Sequence, residues 1–340
     1  MADVRFHGVQ LGSLQNLSRR GCPPVQAICA SDAAVRSPRH AVRGLQIALG
    51  LIWLLDGALQ LQPFMFGHDF VTEVLLPSAA GQPVPLARSI TWSAELVAHH
   101  LVVFNVWFAA IQVAIGVGLL ARRTVRPALV ASFVWVALVW SLGEGFGMLL
   151  TGVASPLTGA PGAVLLYALI GVLAWPAASE RTAAAGRRAG RGMWVALWCG
   201  AAVLWLLPSN RSANSVHDAI AAAAIGQPGW LATIQTTMAG IASGHGLVIA
   251  ATLAVASGVI GLGVLSRRPA PFLIAGAVLS LVAWIVGQAL GAILTGQATD
   301  PNAGPLFVLL AFALLAAARP QRPHDRAAHS TLLSASGGAR

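Results

Sequence analysis

The chain has 340 residues, of which only 9% are charged and 56% hydrophobic. A soluble chain carries about a quarter charged residues, so this composition excludes an ordinary soluble domain and points to a helical membrane protein. The formal net charge of +10 invites a nucleic-acid reading, but the distribution of the arginines given below argues against one.

Residues 1–43 hold no long apolar run and read as a polar cytoplasmic tail. SRRGCPP contains a twin Arg with no apolar stretch behind it, so no cleaved signal is expected. Cys22 and Cys29 fit no usual zinc or redox spacing. Apolar runs then predict spans at about 44–62, 93–121, 127–151 and 161–176. After a linker at 177–191, a second set follows at about 192–208, 237–265, 271–295 and 304–318. Residues 319–340 read as a second cytoplasmic tail. Cys199 falls inside an apolar run and is read as a packing residue.

All 21 basic residues are Arg. If the N-terminus is inside, nineteen of these 21 fall on inner segments, leaving only Arg88 and Arg211 outside. The positive-inside rule therefore puts both termini in the cytoplasm of a plasma-membrane protein. The charge then faces anionic lipid rather than nucleic acid.

Laid over itself at an offset of 145, later 144, the chain matches at many landmarks. Trp53 meets Trp198, Gly81-Gln82-Pro83 meets Gly226-Gln227-Pro228, and His100 meets His245. Gly116 meets Gly261, and Trp140, Gly143, Gly147 and Thr151 meet Trp284, Gly287, Gly291 and Thr295. Pro161 is set against Pro305. The expected fold is all-α: a polytopic membrane protein of eight transmembrane helices, made of two parallel four-helix units at 44–176 and 192–318. Two four-span units keep the same orientation and are expected to be related by an axis along the membrane normal. The repeated GxxxG (Gly143/Gly147, Gly287/Gly291) is read as a close helix contact.

The first unit carries acids and histidines that the second has mostly lost. Asp56 faces Ala201, Glu95 faces Gly240, His99 faces Gly244, and Glu144 faces Gln288. Counted along their helices, Asp56, His99, His100 and Glu144 all fall roughly 10–12 Å below the outer edge. Ionisable groups in a span are costly and mark function by default. The ligand-binding candidates are therefore Asp56, Glu95, His99, His100, Glu144, His245 and Gln288. Asp56, His100 and Glu144 could hold a divalent metal or relay protons; a helix-to-helix bond from Glu144 to His100 is the structural alternative. Asn105 and Gln112 are expected to bond between helices. The outer segment 62–91, with its mixed Phe and acidic residues, reads as a short interfacial amphipathic helix followed by a Pro-bounded turn.

GLIWLLDGALQL (50–61) and IQVAIGVGLLARR (111–123), followed by RPALVASFVW, resemble the DoxX-like family of small membrane proteins. The resemblance implies a four-helix bundle, and some members are membrane subunits associated with quinone-linked sulfur or thiol oxidation. Gln112 stands where that family often has Glu, and Asp56 and Gln60 replace its usual His and Lys. The chain also resembles eight-span membrane proteins of high-GC bacteria with GEG…LTG and TDPNAGP motifs. Two functional readings follow, besides a structural protein without ligand. One is a membrane component of a redox or respiratory system, contacting quinone or a soluble partner. The other is a small-solute or metal-ion transporter with an outward-facing polar pocket. No cofactor is assigned, and no nucleotide loop or nucleophile elbow suggests an autonomous enzyme.

Overall fold

A computed structural model describes residues 38–176 and 180–318. Twelve α-helices and several short 3₁₀ and π turns make up these residues, and no strand occurs among them. The helices are α1 (Pro38–Leu59), α2 (Val84–His99), α3 (Leu101–Leu120), α4 (Val125–Leu138), α5 (Ala163–Ala174) and α6 (Glu180–Trp205). They continue with α7 (Pro208–Arg211), α8 (Ser215–Ala223), α9 (Gly229–Ala242), α10 (Gly246–Gly263), α11 (Ala270–Val286) and α12 (Ala303–Ala318).

By length and composition, four helices can cross a membrane: Ala41–Leu59, Leu101–Leu120, Val125–Gly143 and Gly246–Gly263. A fifth crossing results if Ala270–Val286 and Ala289–Thr295, bent by 41°, act as one span. On α3, α4 and α10, large apolar side chains such as Val102, Trp107, Val134, Val255 and Leu262 are exposed. Such continuous apolar surface is unstable in water and suits lipid contact.

Two expected spans are broken. The run at 93–121 divides at His100 (φ −135°) into α2 and α3. The run at 237–265 divides likewise at His245 into α9 and α10. The expected linker at 177–191 is helical from Glu180 and continuous with α6. In the segment 62–91, expected as a short interfacial helix followed by a Pro-bounded turn, Pro63–Ala79 is instead a series of short 3₁₀ and π turns, and the residues from Val84 belong to α2. Met65, Phe70 and Val71 in these turns are buried against Ala94 and Val97 of α2. Of the tails expected at 1–43 and 319–340, residues 1–37 and 319–340 lie outside the described residues, and residues 38–43 already belong to α1.

Small residues let the long helices close up. A methyl group on Gly50 would meet the Gly116 carbonyl at 3.0 Å, so α1 and α3 touch backbone to backbone. In α10, Gly261 accepts Trp198 and Cys199 of α6 in the same way. The main core gathers Trp53, Tyr167, Trp194, Trp198, Leu306 and Leu310 from α1, α5, α6 and α12. α1 also closes neighbouring helix ends. Arg43 donates to the Leu119 carbonyl at 3.0 Å and to that of Leu120, while Gln46 Nε2 donates to the Ala174 carbonyl at 2.8 Å. These carbonyls have no partner within their own helices, so the bonds satisfy groups that would otherwise be orphaned.

Candidate functional site

The GxxxG glycines do not lie on straight helix faces. After α4 the chain widens into a π turn at Val139–Gly143 and then turns left-handed. Gly145, Phe146, Gly147 and Met148 have φ of 52°, 55°, 61° and 60°. The same happens after α11, where Ala289, Leu290, Gly291 and Ala292 have φ of 49°, 56°, 72° and 55°. Left-handed backbone costs non-glycine residues about 1–2 kcal/mol each, and such strain persists only where the surroundings impose it. Here the imposed contact is clear. Trp140 Nε1 donates to the Pro161 carbonyl at 2.9 Å, and Gly147 packs on that same carbonyl. Trp284 Nε1 donates to the Pro301 carbonyl at 2.7 Å, and Gly291 packs there. The glycines thus admit a crossing loop rather than a helix. The geometry also sets Pro161 against Pro301, not Pro305, because four fewer residues precede the final helix in the second half.

This loop delivers the start of the next helix to Glu144. Glu144 Oε1 accepts the Val164 backbone N–H of α5 at 3.3 Å. Gln288 Oε1 accepts the Gly304 N–H of α12 at 3.1 Å. Both side chains therefore cap a helix N-terminus, satisfying an orphan donor. Glu144 has a second oxygen to account for. Its Oε2 is enclosed without a hydrogen-bond partner and lies against Gly162, where any β-carbon would strike it.

Three further groups share this region. Asp56 on α1 and Tyr167 on α5 are buried, and Asp300 precedes α12. Asp300 is within electrostatic reach of Asp56, Glu144 and Tyr167. The Tyr167 hydroxyl is a close neighbour of Asp56, yet neither it nor Asp56 Oδ1 makes a well-formed hydrogen bond. Asp300 accepts from the Asn302 N–H at 2.6 Å and from Thr299 Oγ1 at 3.0 Å. Removal from water raises the Asp300 carboxyl above its ordinary pKa, and these two bonds partly oppose the rise. Asp56 is 2% exposed, and although Glu144 and Asp300 as whole residues are half-buried, Glu144 Oε2 is enclosed like the Asp56 carboxyl.

Among the described residues none of these acids has a cationic partner; the one His–carboxylate contact found there is His217 Nδ1 to Asp218 Oδ1 at 2.9 Å, elsewhere in the chain. Burying carboxylates without compensation costs several kcal/mol per ion. Among the described residues, then, nothing offsets the charge that these carboxylates would carry.

The expected histidines do not join it. His99 and His100 are exposed at the α2–α3 break, and His245 is exposed at the α9–α10 break. The reason is the broken span: His100 precedes the first turn of α3 instead of lying two turns inside a continuous helix. Glu95 is exposed too and lines an open depression with Arg88 and Trp92. The proposed metal set of Asp56, His100 and Glu144 is not assembled; no group of three His, Cys, Asp or Glu suited to a metal exists among the described residues. Asn105 does bond between elements, donating Nδ2 to the Gln60 carbonyl at 2.8 Å. Gln112 is buried with its Oε1 unpartnered.

The sequence reading missed Tyr167 and Asp300. Tyr167 is the only tyrosine in the chain and lies in an apolar helix, a signal that was available. Asp300 lies in TDPNAGP, which was noted only as a motif. Comparison of the chain with family models, curated proteins and solved structures returns no match.

Proposed function

We propose that the chain is an integral membrane protein that moves protons through the acid cluster, as part of a proton-linked carrier for a small solute. One observation carries this reading: Asp56, Glu144 and Asp300 gather near Tyr167 with no basic partner among the described residues, beside two points where helices unwind. Unwound helices with half-helix N-termini at a buried site are a recurring device of secondary transporters. Ionisable groups there normally form ion or proton paths. The transporter reading thereby moves ahead of the redox one, for which the cluster supplies no specific support.

We further infer that the two halves arose by duplication and share one orientation. Supporting this are the matched left-handed turns, the Trp–Pro and Glu/Gln caps, and the helix starts at Val84 and Gly229 and at Leu101 and Gly246. The arginine distribution supports cytoplasmic termini in a plasma membrane.

The test uses proteoliposomes that hold a pH-sensitive dye, with a potassium diffusion potential driving proton entry. Wild-type protein should admit protons roughly tenfold faster than empty vesicles, and Asp56→Asn should lose that excess. Wild-type flux equal to that of empty vesicles contradicts the proposal.

A further inference from the structure

The clefts beside the two left-handed turns differ. In the first half Gln82 closes the cleft: its Nε2 donates to the Gly145 carbonyl at 2.7 Å and to the Ser78 carbonyl at 3.2 Å. This approach requires glycine at 145, since a β-carbon there would meet Gln82 Nε2 at 2.5 Å. The second half has Ala289 at the matching place, so a methyl group occupies the position that the amide needs. Gln227 accordingly makes no side-chain bond to Ala289, and its Oε1 is enclosed without a partner. A cavity of about 240 Å³ remains.

The lining defines what could fill it. Polar groups come from Thr158, Gln227, Gln288, Thr295, Gln297 and Asn302, and small apolar faces come from alanines of α8 and of the turn. No lining residue is charged, so an ionic ligand would be desolvated without compensation. An apolar ligand would strand the amides. The side-chain amides and hydroxyls of the lining offer a solute both donors and acceptors. At about 30 Å³ per water, the volume equals roughly eight waters, or a solute of about that many non-hydrogen atoms.

We propose that this cleft binds a small uncharged polyol and is the cargo site of the carrier. The cargo role rests on the proton-linked reading; the binding itself does not. Position ties the two together. Asn302 lines the cavity, and its backbone N–H donates to Asp300 at 2.6 Å. Gln288 lines it too and caps α12. A solute that reorients either residue thus acts on the loop carrying an acid of the cluster.

The probe is erythritol, and binding is read by saturation-transfer NMR on protein in phosphatidylcholine nanodiscs, whose headgroups offer no free hydroxyls. Wild-type protein should transfer saturation to erythritol. Ala223→Phe, which fills the cleft from α8, should weaken binding at least roughly tenfold. Ala289→Gly should weaken it as well, by letting Gln227 close the cleft as Gln82 does, in a position where φ of 49° favours glycine. This second variant keeps the test decisive if Ala223→Phe does not fold. Glu144→Gln should retain binding. No erythritol signal from wild-type protein, or an undiminished signal in the folded cleft variants, overturns the site. Erythritol binding without proton flux overturns the proton-linked reading alone, and flux without binding overturns the cleft alone.

Discussion

The two unwound turns share a backbone and differ in chemistry. Both run left-handed through four residues, both receive a tryptophan-bonded proline carbonyl, and both end by capping a short helix. The first caps with an acid and closes its cleft with Gln82; the second caps with an amide and leaves its cleft open. If the halves are repeats, as proposed, the shared part is what folding requires, and the difference isolates what it does not: a carboxylate at 144 and a cavity near 289.

The comparison is broken most severely by attacking what is shared. Gly147→Ala and Gly291→Ala would each drive a β-carbon into the proline carbonyl crossing it. Each should cost about 3 kcal/mol or more, because rigid backbone blocks relief on one side and positive φ adds strain. Thermal melting of the two variants should show losses of similar size. A large loss in only one would mean that the turns are not equivalent.

Next comes a feature confined to the first half. Asn105→Ala removes a buried donor to Gln60 and should cost about 1–3 kcal/mol. The matching position on α10 is Ala250, already buried without polar groups, so Ala250→Gly should cost only about 1 kcal/mol. Melting curves in one detergent would check the ranking.

The acid at Asp300 gives a pH dependence. Its pKa is raised in the folded protein, so the folded state favours the protonated form. Its stabilising contribution is complete below the unfolded value of about 3.9 and is lost as pH rises through the higher folded value. Asp300→Asn should therefore gain stability relative to wild type as pH climbs above about 4. A difference in melting temperature that is flat or reversed with pH would contradict this.

Much of this was legible in the sequence, for definite reasons. Low charge and long apolar runs gave a helical membrane protein, because lipid permits few alternatives. The offset match pairs Gly147 with Gly291 and Trp140 with Trp284, and in the structure each pair makes the same local contact to a proline carbonyl. What the pattern hid was the course of the backbone. Hydropathy is blind to a break, so His100 was counted as two turns deep although it precedes α3. GxxxG was read at helical spacing, although residues 145–148 are left-handed. Asp300 lay in a connection and was not weighed, since nothing in its spacing places it near Asp56. Glu144 stands out in the sequence as an acid within an apolar run, and its cap on Val164 is a structural role that Gln288 performs for α12.

The smallest expected effect on stability belongs to Glu144→Gln, within about 1 kcal/mol of wild type, because an amide makes the same cap at 288. Its effect on function should be the largest, and this contrast is the most direct test of the account. In dye-loaded proteoliposomes under a potassium diffusion potential, Glu144→Gln should reduce proton entry to the level of empty vesicles, while Glu95→Gln, at an exposed acid outside the cluster, keeps the wild-type rate. Proton entry unchanged in Glu144→Gln, or lost equally in both variants, would contradict the claim that the acid is there to carry protons.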